Sequence, residues 1–193
     1  MLPIQGVILA GGQSRRMGQC KNDLLIDPGG PTLLKRARRT LHSICVTVWV
    51  SRPFGYPSPT PEDLVDERPQ LGPLMGIAMA LAQHRQDLTC VLAVDLPGVP
   101  ASLFDTLYQH WMDDPTLEVV YPGDGDGHIQ PLAGLWHAKA LSAIQSFLGS
   151  GQPPRVQGVM RQLPSKQVIV PQEYLVNLNT PEDWARFQAA SAR

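Results

Sequence analysis

An apolar run that stops at two glycines and is followed at once by cations has the parts of an anion site. From Val7 to Lys21 the chain reads VILAGGQSRRMGQCK. Gly11 and Gly12 let backbone N–H groups approach a ligand closely, and the loop after the first strand of a doubly wound sheet is where phosphates commonly lie. Leu9 and Ala10 lead into that loop. Ser14 adds a hydroxyl, and Arg15, Arg16 and Lys21 add positive charge. The stretch is neither GxGxxG nor GxxxxGK[ST], so it lacks the spacing of a dinucleotide fingerprint or a Walker loop. A tight turn with a solvated basic face is the bland alternative.

A second chemical feature is a carboxylate at a strand end. Asp95 directly follows the apolar CVLAV and precedes a turn at Pro97. Mg²⁺ binds through one or two carboxylates together with substrate phosphates, so one such Asp suffices; an Asp there can also cap the turn. If a nucleoside triphosphate lies on the glycine loop with Mg²⁺ at Asp95, an acceptor phosphate attacks the α-phosphorus and pyrophosphate leaves. Arg16 and Lys21 would then stabilise charge on the triphosphate, and Arg15 would face solvent.

These residues need a rigid frame, and the rest of the chain supplies its outline. Apolar, β-branched runs alternate with helical segments: IQGVILA, TLLKRARRTLHS, CVTVWV, LMGIAMALAQHR, TCVLAVD. Such alternation predicts a parallel sheet with right-handed crossovers and helices on both faces. After Pro100 a helix is expected near ASLFDTLYQHWM, a strand near EVVYP, a turn at GDGDG and a further strand at PLAGLW. The fold class is therefore α/β, a three-layer α/β/α sandwich with a mostly parallel, mixed central sheet.

Composition narrows the function classes. The chain has 193 residues, 43% apolar and 17% charged, with formal net charge −1. That describes a globular protein without the basicity of a general nucleic-acid binder. A single domain over 1–193 is expected from its length. No apolar run approaches the roughly 20 residues of a membrane span and no basic leader precedes one, so a cytoplasmic protein is expected. Cys20, Cys45 and Cys90 lack CxxC spacing, and neither a disulfide framework nor zinc is expected. RPFGYPSPTPEDL and SGQPPR read as surface loops.

Five blocks, in order, resemble one family. LAGGQSRRMGQCK is similar to the LAGGxSxRMGxDK signature of nucleotidyltransferases that handle molybdenum cofactor, and more loosely to sugar-nucleotide pyrophosphorylases. GPLMGI (72–77), AVDLP (93–97), QPLAGLW (130–136) and NLNTPEDW (177–184) follow. The last resembles the guanylyltransferase, MobA-type branch more than the cytidylyltransferase branch. The resemblance implies a Rossmann-like nucleotidyltransferase fold, GTP and molybdopterin cofactor as substrates, Mg²⁺ on Asp95, and an adaptor GTPase or molybdoenzyme chaperones as candidate delivery partners. It implies a nucleotide contact for Asp66, with Glu67 as substitute. Gly72 and Gly76 suggest close backbone approach or tight packing. The resemblance also implies a nucleotide-binding part near 1–100 and an acceptor-binding part near 101–193, with Gln130 and Pro131 on the acceptor side.

Further residues carry two readings. Arg155 and Arg161, at helical spacing, reach the acceptor's anionic groups or are solvated. Asn177 and Asn179 serve the helix beginning at TPEDW, where Thr180 is the N-cap, Pro181 the first helical residue and Asp183 the capping-box acid, or, as the resemblance implies for Asn179, face the metal or acceptor phosphate. His128 is assigned no role, and Trp49, Trp111, Trp136 and Trp184 read as packing residues. Two departures bear on the family pattern: Cys20 stands where an Asp usually precedes the lysine, and Trp49 and Ser51 stand where an asparagine often serves the nucleotide. The alternatives are a CTP-dependent molybdopterin cytidylyltransferase, a sugar-phosphate nucleotidyltransferase, or a non-catalytic nucleotide-binding regulatory protein.

Overall fold

A computed structural model of the chain describes residues 2–11, 21–25 and 29–191. Seven strands form one sheet: β1 (Gln5–Leu9), β2 (Thr47–Arg52), β3 (Asp63–Val65), β4 (Leu88–Ala93), β5 (Val119–Gly123), β6 (Leu135–His137) and β7 (Ser165–Ile169). Their order is β3-β2-β1-β4-β6-β5-β7. Among these strands only β6 runs against its neighbours, pairing antiparallel with both β4 and β5. Helices α1 (Leu33–His42), α2 (Gly72–Leu81), α3 (Ala101–Asp113), α4 (Ala140–Gly149), α5 (Val156–Met160) and α6 (Pro181–Ser191) complete the chain.

Alternation along the central strands sorts the core into two layers. Every residue of β1 and β4 is buried, as expected for parallel strands covered on both faces. Ile8 and Leu92 face α1 and α3, meeting Leu33, Leu41, Phe104 and Leu107. Val7 and Val91, one residue earlier, face α2, α4 and α5, meeting Ile77, Ile144 and Val159. The three-layer sandwich follows from that two-residue period. Among the described residues no helix is long and apolar enough to cross a membrane.

Local signals explain the helices. Thr32 accepts a hydrogen bond from the Lys35 N–H at 3.2 Å, and α1 then buries Leu33, Ala37 and Leu41 at a spacing of four. α2 is apolar nearly all round because it lies between β1 and α4. The cap of α6 is reciprocal: the Asp183 N–H donates to Thr180 Oγ1 at 3.1 Å, and Asp183 Oδ2 accepts from the Thr180 N–H at 3.0 Å.

Five elements differ from the sequence-based expectation. In PLAGLW, Pro131–Ala133 form a short 3₁₀ turn and only Leu135–His137 pair as a strand. β2 runs through Arg52 and begins after Cys45, which packs with Cys90 in the first core as a free thiol. β3 and β7 are additional; β3 is only three residues long, and β7 is an edge strand with an exposed, polar start. α5 spans only Val156–Met160, so Arg155 and Arg161 are its two caps rather than neighbours on a two-turn face.

The loop after β4 is pinned by a distant segment. The Leu178 N–H donates to the Asp95 carbonyl at 2.9 Å, and Arg36 Nε of α1 donates to the Pro97 carbonyl at 2.7 Å. Backbone from the 3₁₀ turn Gln172–Leu175 comes so near that a Cβ on Gly98 would lie 2.3 Å from the Glu173 carbonyl oxygen. Gly98→Ala is therefore expected to destabilise the protein by about 1–3 kcal/mol, since backbone cannot yield as a side chain does. Thermal unfolding checks this, with Tm falling by about 2–4 °C per kcal/mol; an unchanged Tm would contradict the close approach.

Candidate active site

A cleft of about 640 Å³ opens at the carboxyl ends of β1, β2, β3 and β4. Leu9 and Gly11 line it from β1, Ser51, Pro53 and Phe54 from β2, Asp66 from β3, and Ala93, Val94 and Asp95 from β4. This is where an open α/β sheet binds ligands, because the chain leaves β1 toward opposite sides and the loops part there. The volume suits a nucleotide-sized molecule.

At one end of the cleft three residues from separate parts of the chain form a hydrogen-bonded line. Gln130 Nε2 donates to Asn177 Oδ1 at 2.5 Å, and Asn177 Nδ2 faces Asp95 Oδ1 at 3.4 Å. Gln130 is 7% exposed and comes from the β5–β6 connection; Asn177 comes from the segment before α6. The amide of Asn177 can thus fix the orientation of the Asp95 carboxylate, while Gln130 fixes the amide. Among the described residues no group of three or more His, Cys, Asp or Glu forms a cage.

The glycine loop is described only at its edges. Leu9 and Gly11 face the cleft, whereas the Ala10 side chain is buried in the first core. The Ala10 N–H donates to the Ser51 carbonyl at 3.1 Å, and its carbonyl accepts from Asn22 Nδ2 at 3.2 Å, so Asn22 braces the loop from its far side. Lys21 opens the one-turn 3₁₀ helix Lys21–Asp23. Gly12, Ser14, Arg15, Arg16 and Cys20 lie outside the described residues.

At the other end stands Asp66. Its N–H donates to the Arg52 carbonyl at 2.9 Å, and its Oδ1 is buried without a hydrogen-bond partner. Gly72 lines the same end with φ +60°, a left-handed conformation suited to glycine, and begins α2 beside the Pro154 carbonyl. Gly76 is a packing residue: a Cβ there would lie 2.4 Å from the Ser51 hydroxyl. Arg155 is exposed and follows Pro154, so its backbone stands near Gly72 rather than in the Gln130–Asn177–Asp95 line. Asn179 contributes its backbone N–H to Asp183 Oδ2 at 3.1 Å, within the cap of α6. Asn22, Pro53, Phe54, Pro69 and Gln70 are site or bracing residues that the motifs do not mark.

Residues 6–167 match the model of the MobA-like NTP transferase domain. The chain belongs to that family. A MobA-like NTP transferase is an enzyme that transfers nucleotidyl groups, and its relatives agree. A protein of Rhodopirellula baltica named as a probable molybdenum cofactor guanylyltransferase is 32% identical over 94% of this chain and 90% of its own length. A Mycobacterium bovis protein of the same name is 35% identical over 78% of this chain and 76% of its own. Among solved structures, molybdopterin-guanine dinucleotide biosynthesis protein A from Archaeoglobus fulgidus superposes with a TM-score of 0.77 at 18% identity, covering 97% of this chain and 98% of its own. The 4-diphosphocytidyl-2C-methyl-D-erythritol synthase of Anaerococcus prevotii superposes at 0.75 with 12% identity, covering 98% and 96%, which shows a shared fold.

Electrostatics single out Asp66 in this MobA-like site. Burial pushes its carboxyl up from the ordinary 3.8 to about 6. Between those values the folded protein holds a proton that the unfolded chain has lost, so stability falls as pH rises through the window and stays lower above it. Asp66→Asn removes that titration. Tm measured from pH 4 to 8 should show wild type losing ground to Asp66→Asn as pH rises from about 4 to about 6, with little further change above that. A gap that does not change with pH would contradict the shift.

Proposed function

We propose that the enzyme transfers GMP from GTP to the terminal phosphate of molybdenum-molybdopterin cofactor, releasing pyrophosphate and forming the guanine dinucleotide cofactor. The relatives named as probable molybdenum cofactor guanylyltransferases support this pair of substrates. The observation that carries the reading is the line Gln130–Asn177–Asp95, a carboxylate oriented by two amides at the phosphate end of a nucleotide-sized cleft.

In this reading residues 1–193 act as one nucleotidyltransferase domain. Leu9 to Gly12, with Ser14, Arg16 and Lys21, hold the triphosphate; Asp66 and Gly72 hold the nucleoside end. An oxygen of the acceptor phosphate bonds to the α-phosphorus while the α–β bridging bond breaks, and the electron pair leaves with pyrophosphate. Arg16 and Lys21 stabilise the charge that gathers on the leaving group. Gln130 and Asn177 orient the acceptor beside Asp95, with Asn179 and Arg155 at the edges of the acceptor path.

Among the described residues no cage of carboxylates surrounds Asp95, and a single hard carboxylate fits Mg²⁺, which takes its remaining oxygens from phosphates and water. Asp95 would hold it, and when bound the ion neutralises triphosphate charge and polarises the phosphorus under attack. No covalent nucleophile is needed.

Pyrophosphate release, followed with each of four nucleoside triphosphates, Mg²⁺ and molybdopterin, tests the reading. Release with GTP is expected; release with CTP alone would overturn the guanine assignment. Asp95→Ala should lower turnover on the order of 10²-fold or more. Asn177→Ala should lower it by about 10- to 100-fold, because the carboxylate loses its orienting partner. Unchanged turnover in Asp95→Ala would remove that residue from the mechanism.

A further inference from the structure

The turn after β2 keeps an aromatic ring in water at the cleft, and no role assigned above uses it. Phe54 is 57% exposed. Other large hydrophobics are exposed among the described residues, namely Leu25, Val46, Met112, Ile169 and Val176, but Phe54 alone of these is aromatic and alone lines the cleft. Scattered exposed apolar side chains need no explanation; one held at a ligand site by several interactions does.

The turn is braced from below. The Tyr56 N–H donates to the Pro53 carbonyl at 3.1 Å, and Gly55 has φ +74°, as in a turn with Phe54 at its first corner. The Arg52 guanidinium lies 4.6 Å from the centre of the Tyr56 ring. Arg52 Nε in turn donates to Asp63 Oδ1 at 2.7 Å, with side chains 9% and 1% exposed, and Asp63 Oδ2 accepts from the Thr60 N–H and hydroxyl at 2.8 Å each. These contacts hold the base of the turn and leave the Phe54 ring uncovered.

Asp66 stands at the same end of the cleft, tied by its N–H to the Arg52 carbonyl. The end therefore combines an apolar ring face with a carboxylate oxygen, Asp66 Oδ1, that lacks a donor. With strand order β3-β2-β1-β4, that end and Asp95 are three strand spacings apart, about 14 Å. A nucleotide lying across the strand ends, phosphates toward Asp95, would bring its base there. Guanine offers a π face and two adjacent donors, N1–H and the 2-amino group, on one edge; a ring and a carboxylate meet both needs.

We propose that Phe54 is the stacking platform for the base of the bound nucleotide, with the base's donor edge directed at Asp66. The choice of guanine rests on the function proposed above; the platform does not, because stacking accepts any base.

Calorimetric titration of wild type, Phe54→Ala and Phe54→Trp with GTP, CTP and inosine triphosphate, each with Mg²⁺, tests it. Phe54→Ala should weaken GTP about 5- to 100-fold, and Phe54→Trp should restore it. The loss should fall on the KM for GTP far more than on kcat, with the Tm nearly unchanged, which separates a stacking role from a structural one. A 2-aminopurine ribonucleoside triphosphate should lose fluorescence on binding wild type and keep it on Phe54→Ala. Inosine triphosphate, which lacks the 2-amino group, should bind wild type more weakly than GTP; equal binding would overturn the contact to Asp66. GTP binding within twofold of wild type in Phe54→Ala, or quenching that persists in it, would overturn the platform. If wild type binds CTP in preference to GTP, the guanine assignment fails, and Phe54 is then judged on CTP: a weakened Kd in Phe54→Ala supports the platform, an unchanged one overturns it.

Discussion

The site depends on how the Asp95 loop is held from outside its own element. β4 delivers the residue to the edge of the cleft, but a strand end by itself leaves the following turn free to choose a direction. Here the turn is fixed by the Leu178 N–H on the Asp95 carbonyl, by Arg36 on the Pro97 carbonyl, and by the backbone at Glu173 packed against Gly98. Asn177 then meets the carboxylate itself. A segment more than 75 residues downstream thus fixes a group that belongs, by sequence, to the first half of the chain. An orienting partner on the loop's own strand would share its fluctuations; one from another layer does not.

The single reversed strand has its place in the same scheme. β6 enters between β4 and β5, so its preceding turn lies next to the end of the central strands rather than at the sheet's edge. The Gln130 N–H donates to the Pro122 carbonyl, the Val91 N–H takes the Gly134 carbonyl, and Trp136 Nε1 reaches the Pro131 carbonyl. Those bonds anchor the 3₁₀ turn at both ends and seat Gln130 where it can hold Asn177.

Much of this was legible in the sequence because the central strands are buried on both faces. Runs such as QGVIL and LTCVLA admit few other readings, and CVLAV followed by Asp95 locates a strand end without reference to any fold. Thr180 and Asp183 announce the start of α6 by spacing alone. The edge strands were not legible: β3 has three residues, and β7 begins with Ser, Lys and Gln, so neither carries a period long enough to recognise. The pairing of Gln130, Asn177 and Asp95 spans 82 positions and depends on tertiary packing that no local pattern encodes. The extent of α5 was not legible either: RVQGVMR reads as a two-turn face, but the segment makes barely one turn, with Arg155 and Arg161 at its caps.

The two ends of the cleft differ in how completely the protein satisfies its own groups. At the Asp95 end, amides and backbone already supply partners, which suits charge that must be positioned before a reaction. At the Asp66 end a carboxylate oxygen is buried without a donor, and its pKa is raised for that reason. Folding tolerates this cost because Arg52 and Asp63 hold the neighbouring strands together through a nearly buried ion pair. Removing either partner would leave a buried charge uncompensated, so the pair stabilises β3 chiefly by making its loss costly. In the proposed nucleotide complex, an unmet acceptor on so firm a scaffold would discriminate among ligands: a base that brings donors would relieve the cost, and one that brings another acceptor would add to it.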